Sequence, residues 1–378
     1  MNKKKLLFVI PHLKGGGAEK VLIDILKQFD YSKYEVDLLL FYNEGAFLNL
    51  LPSEVNKKYL FDIWKSRGKV PNKLKKIFIT TIRNFGMKYL YKALITKNYD
   101  VEIAFLEGTA TKFVAASSNK TSKKIAWVHT DLENNHWTKP FYKNLTEEVN
   151  CYNKFNKIIC VSEETKINFI KRFGRFDNIE VIYNPLDIEN ISYLGNQKIE
   201  KKFGFTITAV GRLEPQKGFD RLIKSIKKLH NENINCYLQI IGEGSNEKKL
   251  QDLVKLYSLE KYIEFIGFCE NPYKYMKTND LFVCSSRSEG FSLVVAEALI
   301  LEKPIISTKC AGPVEILKNG KYGMIVDNST DGLTNGIKTL YYDEKKRNFY
   351  SEKAHERIMF FDSKEKMKKI YNIIESGV

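Results

Sequence analysis

FTITAVGRLEPQKGF, residues 205–219, runs from an apolar stretch straight into a turn carrying Arg212 and Lys217. The stretch Phe205–Val210 shows no polar alternation, so it reads as a strand buried on both faces, the habit of parallel strands. Phe219–Asn231 follows with apolar residues at helical spacing, which makes the unit strand, turn, helix. Arg212 and Lys217 stand at the carboxyl end of that strand with only Glu214 beside them to balance their charge. Two cations placed there form a site for an anion, Arg by a planar fork and Lys by a mobile point charge.

The same unit recurs along the whole chain. KLLFVIP, EVDLLLFY, VEIAFL, KKIAWVH, KIICVS and IEVIYN come first; FTITAVG, NCYLQIIG, IEFIGF, LFVCSS, KPIIST and GMIVD follow. Amphipathic stretches such as Ala18–Phe29 and Glu247–Tyr257 lie between them, so the fold class is α/β with parallel sheets. The series restarts after VIYNPLD, and the polar passage Ile188–Lys202, without clear period, reads as a linker between two domains. A chain of 378 residues is too long for one small core, which agrees with two.

Composition narrows the class. Hydrophobic residues make up 43% with 24 Phe and 21 Tyr, ample for two cores. No uncharged apolar run approaches the ~18–20 residues of a membrane span. The N-terminal MNKKKLLFVIPHL imitates a signal peptide, but no small-residue cleavage site follows it; it reads as a first strand of a cytoplasmic protein. Cys160, Cys236 and Cys284 fall in strand-like runs and read as buried small hydrophobes, and no C-x-x-C or His spacing suggests a metal.

In open α/β sheets ligands bind beyond the carboxyl ends of the strands, so the residues just after each strand carry the chemistry. After the first strand, Gly15, Gly16 and Gly17 open a helix whose unpaired N–H groups can meet an anion; a plain flexible turn explains them equally well. A dinucleotide-binding G-x-G-x-x-G fails because its third glycine is Lys20, although Glu44 could imitate the ribose-binding acid. In the second half, SSRSEGFSLVVAEAL places Glu289 and Glu297 eight residues apart, with Gly290, Phe291 and Ser292 opening a helix at about Leu293. Eight residues is just over two helical turns, so both carboxylates can serve one site, where sugar or ribose hydroxyls would donate to them.

These pieces together resemble the retaining GT-B glycosyltransferases of glycosyltransferase family 4. The matching motifs are VGRLEPQKGFDRLI, IIGEGSNEKKLQ, FIGFCENPYKYM and EGFSLVVAE, with VIYNPLD, GGGAEK, WVHT and VSEET, in the family's order over nearly the whole chain. The resemblance implies two facing Rossmann-like domains with a cleft between them. Residues 1–184 would bind the acceptor, 185–360 the nucleotide sugar, and a C-terminal helix in 361–378 would return to the first domain. By motif position, Arg212 and Lys217 would hold the diphosphate of the donor, Glu297 the ribose and Glu289 the transferred sugar. Backbone groups at Gly290, Phe291, Ser292 and Leu293 would lie close by, Gly16 and Gly17 would meet the phosphate, and His129, after KKIAWV, would face the sugar. Retention, with the acceptor hydroxyl deprotonated by the leaving phosphate, is likewise implied. No D-x-D occurs, in keeping with a family that needs no metal or other cofactor. A nucleotide-sugar epimerase of the same architecture and a non-catalytic nucleotide-binding module are the alternatives.

The acceptor has to be read from charge. Residues 1–184 carry 31 basic against 19 acidic side chains, and residues 51–100 alone carry 12 against 3. There Lys73, Lys75, Lys76, Arg83, Lys88 and Lys92 alternate with Ile77, Phe78, Ile82, Phe85, Leu90 and Leu94. A basic amphipathic helix of this kind lies on an anionic membrane, or packs its apolar face on its own domain with the lysines in water. No nucleic-acid module accompanies the charge. The expected acceptor is a glycan, lipid-linked, at the inner face of the cytoplasmic membrane.

Overall fold

The computed structural model describes residues 3–60, 87–201 and 204–377. It divides into two compact units, one of residues 1–185 with 364–378 and the other of residues 186–363. The first holds the strands β1 (Lys4–Ile10), β2 (Tyr34–Leu40), β3 (Asn56–Tyr59), β4 (Val101–Ala104), β5 (Lys123–Val128), β6 (Lys157–Cys160) and β7 (Ile179–Val181). They form one sheet in the order β3-β2-β1-β4-β5-β6-β7, every pairing among them parallel. The order reverses beside β1, the topological switch at which open α/β sheets place their ligands. The second unit repeats the plan with β8 (Thr206–Val210), β9 (Tyr237–Ile241), β10 (Ile263–Gly267), β11 (Leu281–Cys284), β12 (Ile305–Thr308) and β13 (Met324–Val326). Their order is β10-β9-β8-β11-β12-β13, again with parallel pairings.

Each sheet is buried because helices cover it. Leu6–Ile10 of β1 and Val101–Ala104 of β4 are inaccessible to solvent or nearly so, and the same holds for Ile207 and Ala209 of β8. Helix Phe219–Asn231 presents Leu222, Ile223, Ile226 and Leu229 to the core of the second unit.

Two elements depart from the sequence reading. β3 (NKKY) has no apolar signal because it is an edge strand whose side chains serve a buried carboxylate on β2. Asp37 is enclosed, which by itself would raise its pKa. Bonds from Lys58 at 2.8 Å, Tyr99 at 2.5 Å, Asn56 at 3.1 Å and Lys97 at 3.2 Å outweigh that and bring it down to about 2. The passage taken as linker contains a helix, Ile188–Gly195, within the second unit. The Asp187 side chain caps it by accepting from the Asn190 N–H at 3.0 Å. Only Ile191 and Gly195 are buried, too few to reveal a period in so short a helix.

The final helix, Ser363–Glu375, belongs with the first sheet. Lys123 is buried and its Nζ donates to the Ile373 carbonyl at 2.5 Å and the Ser376 carbonyl at 2.9 Å, while Lys4 donates to the Ile374 carbonyl at 3.0 Å. Two cations thus satisfy carbonyls that a helix C-terminus leaves open. Residues 61–86, with Lys73, Lys75, Lys76 and Arg83 of the basic stretch, lie outside the described residues. Among the described residues no helix is long and apolar enough to cross a membrane.

Candidate active site

In the second unit three loops meet at the carboxyl ends of β8, β9 and β11. The loop Gly211–Gly218 is tied to the one after β9: the Leu213 N–H donates to the Glu243 carbonyl at 2.9 Å and the Asn246 N–H to the Leu213 carbonyl at 2.9 Å. Gly244 permits this, since a Cβ there would lie 2.5–2.7 Å from the Leu213 backbone. The first loop is tied equally to the one after β11. Ser285 Oγ donates to the Lys217 carbonyl at 2.8 Å, Gln216 Nε2 to the Ser288 carbonyl at 2.8 Å and Arg221 to the Ser285 carbonyl at 2.9 Å. Arg287 forks onto Asp220 at 2.8 and 2.9 Å. Gly218, at φ +67°, permits this approach, since a Cβ there would lie 2.1 Å from the Ser285 carbonyl oxygen.

This tying brings two distant motifs into contact. Lys217 Nζ lies 2.5 Å from Glu289 Oε1, an ion pair between residues 72 apart in sequence, and Ser286 Oγ donates to the same oxygen at 2.6 Å. Glu289 is 8% exposed, so its charge is compensated by Lys217 where water has little access. Arg212 is exposed.

Ser292 leads into the helix Leu293–Ile300 at φ 61°, a left-handed conformation costly for a residue with a Cβ. Gly290 and Phe291 are buried before it. Gly312, in the first turn of the helix Ala311–Ile316 after β12, closes on that turn: its N–H donates to the Glu289 carbonyl at 3.1 Å, and a Cβ there would lie 2.7 Å from the Phe291 backbone. Glu297, in the second turn of an otherwise apolar helix, is 4% exposed and accepts from the Tyr273 hydroxyl at 3.0 Å.

In the first unit, Pro11–Gly16 follows β1 and helix Gly17–Lys27 follows the glycines. The Gly15 N–H donates to Glu19 Oε2 at 2.7 Å, the Gly16 N–H donates to the same oxygen, and His12 Nδ1 lies 3.0 Å from Oε1. The chain's own carboxylate therefore occupies two of the amides that the sequence offers to an anion. A Glu three residues past the N-cap is a recurrent way to satisfy such donors, which GGGAEK contains.

His129 stands at the end of β5, its ring 5.0 Å from that of Phe105. Burial lowers its pKa to about 3, against the raising effect of a backbone hydrogen bond at Phe105. Its Nε2 is buried with no hydrogen-bond partner among the described residues. Beside it lies a residue that the sequence reading missed. Glu107 is fully buried, which pushes its carboxyl pKa up, and it accepts from the His129 N–H at 3.1 Å and the Trp137 indole N–H at 3.3 Å. It fixes the turn that carries His129. An acid directly after an apolar strand, followed by glycine, is the available signal.

Among the described residues, no three His, Cys, Asp or Glu side chains are grouped to hold a metal ion. Residues 15–190 match glycosyltransferase family 4 and residues 196–357 match the glycosyl transferases group 1 family. The chain is a glycosyltransferase of GT-B fold, related to these two families and acting on nucleotide sugars. The glycosyltransferase is 28% identical over 95% of its length, and 96% of the relative's, to N-acetylgalactosamine-N,N'-diacetylbacillosaminyl-diphospho-undecaprenol 4-alpha-N-acetylgalactosaminyltransferase of Campylobacter jejuni. It is 28% identical to the capsular polysaccharide biosynthesis glycosyltransferase CapM of Staphylococcus aureus, over 53% of its own length and 56% of CapM. Anabaena HepE, solved in complex with UDP and glucose, superposes with a TM-score of 0.77 at 25% identity, covering 99% of this chain and all of that one.

Proposed function

We propose that this glycosyltransferase moves a sugar, with retention of anomeric configuration, from a uridine diphosphate sugar to a hydroxyl of a lipid-linked glycan in surface polysaccharide synthesis. The observation that carries the reading is the Lys217–Glu289 ion pair, which joins the cationic loop to the E-x7-E segment in one place. Breaking the anomeric bond builds negative charge on the leaving diphosphate and positive charge on the sugar. Lys217 and Arg212 neutralise the first, helped by backbone N–H groups from Gly290 through Leu293 at the mouth of the helix. Glu289, held by Lys217 and Ser286, receives the hydroxyls of the transferred sugar, and Glu297 receives those of the ribose.

With Glu19 on the Gly15 and Gly16 amides, Gly16 contributes room for close approach, and Gly17 a backbone group at the helix start. His129, neutral at physiological pH by burial, offers to a sugar hydroxyl its Nε2, which has no partner among the described residues. The leaving phosphate takes the acceptor proton, so no separate base is required, and the two cations stand in for a metal. The names of the C. jejuni and S. aureus relatives support an undecaprenol-linked or capsular acceptor. The charge of residues 51–100 supports attachment at the cytoplasmic face of the membrane; within it, Lys88 and Lys92 are exposed on helix Met87–Leu94.

Thermal unfolding in the presence of a panel of nucleotide sugars and EDTA tests the donor assignment. A ligand at 100 times its dissociation constant stabilises by about 2.7 kcal/mol. A uridine diphosphate sugar should raise the midpoint without added metal; no shift with any uridine diphosphate sugar, or one only when manganese is supplied, would refute it.

A further inference from the structure

Glu107 is inaccessible to solvent, and among the described residues no cation pairs with it. A buried acid without a cation is costly, so its hydrogen bonds must justify it. The His129 amide donates to Oε2 at 3.1 Å, the Trp137 indole to Oε1 at 3.3 Å, and the Thr130 side chain bonds the carboxyl as well. Both oxygens thus accept. A Gln amide cannot reproduce this, because its NH₂ would face one of the two N–H donors. The His129 ring is held from the same segment. A backbone hydrogen bond at Phe105, two residues before Glu107, works against burial to raise the imidazole pKa, so the ring donates to that carbonyl. Since Nε2 has no partner among the described residues, the donor is Nδ1, and Nε2 keeps its lone pair. The segment just after β4 therefore fixes His129 twice, the ring through Phe105 and the backbone through Glu107.

We infer that Glu107 is a positioning residue for sugar transfer: by holding the His129 N–H it sets the turn so that the Nε2 lone pair meets a hydroxyl of the sugar. This rests on the reading that His129 faces the sugar. Glu107 touches no substrate. Its influence passes through one residue, so it should vanish when the imidazole is gone.

The test is a double-mutant cycle on the full chain: parent, Glu107→Gln, His129→Ala and the two together. Turnover is followed as UDP release from UDP-glucose, UDP-galactose, UDP-N-acetylglucosamine or UDP-N-acetylgalactosamine, whichever the parent uses fastest. Thermal unfolding reports whether each variant is folded, and titration calorimetry with UDP whether the second unit still binds. Glu107→Gln should lower kcat on the order of 10-fold, as loss of one hydrogen bond to a charged group does, and leave UDP affinity at the parent value. In the His129→Ala background the same substitution should cost less than about 2-fold. Glu107→Asp, which keeps the carboxylate but shortens its reach, supplies the same comparison should the Gln variant not fold. A merely structural role would lower kcat by the same factor in both backgrounds, or lower only the thermal midpoint, and either result overturns the inference while leaving His129 in place. If His129→Ala turns over like the parent, or the parent uses none of the four donors, the sugar-facing reading of His129 falls and the role of Glu107 with it.

Discussion

Glu289 and Glu297 belong to one motif yet stand in different surroundings. Glu289 is held by a cation and a hydroxyl, Lys217 and Ser286; Glu297 accepts from a phenol inside an apolar helix. If Glu297 accepts from the ribose, as proposed, Glu297→Gln should raise the Michaelis constant for the donor with little change in kcat, because ribose contacts are made equally in ground and transition states. Glu289→Gln should lower kcat instead if its charge steadies the positive sugar of the transition state, as proposed. Steady-state kinetics showing the reverse would exchange the two roles. His129 gives a pH effect. Its folded pKa of about 3 lies below the ordinary 6.5, so the unfolded chain takes up a proton first as the pH falls. Stability on this account is full above pH 6.5 and declines toward pH 3. Chemical denaturation between pH 7 and 4 should show a shallower decline in His129→Asn; an unchanged slope would place the imidazole in water. Glu289 and Glu297 stood out as candidates by their spacing, whereas His129 came only from the resemblance to the family. Their partners were not legible: Glu107 for the His129 turn and Tyr273 for Glu297 come from other elements, and no local pattern links them.

At the scale of elements, the strands were legible wherever both faces are buried. KIICVS and LFVCSS announce themselves because a central parallel strand tolerates almost nothing polar. NKKY escaped because its lysine and asparagine are turned to Asp37, and Ile188–Gly195 because it buries so little. The glycines between elements carry more than flexibility. Gly218→Ala would put a methyl 2.1 Å from the Ser285 carbonyl at a residue with φ +67°. The strain alone is about 1–3 kcal/mol, and the backbone clash must also be relieved by moving Lys217 away from Glu289. Both the thermal midpoint and turnover should fall. Gly218→Ala with parent values for both would show that this loop need not keep its conformation.

At the scale of the molecule, two parallel sheets of like topology carry unlike charge, and the first unit holds the excess. Lys73, Lys75, Lys76 and Lys88 changed together to Ser should release the protein from anionic vesicles while leaving nucleotide-sugar binding intact. Each basic side chain near such a surface contributes about 1 kcal/mol. The attraction should fade with salt over a Debye length of about 8 Å at physiological ionic strength. A variant that still sediments with vesicles, or a parent that never does, would leave the stretch as a solvated face. The measurement closest to the central claim is donor turnover, followed as UDP release with a lipid-linked glycan acceptor, in Arg212→Ala and Lys217→Ala. If these cations stabilise the charge that develops on the leaving diphosphate, each variant loses on the order of 10²-fold or more in kcat, as removal of one oxyanion donor does. Near-parent turnover in both variants would contradict the claim that this loop is where the diphosphate departs.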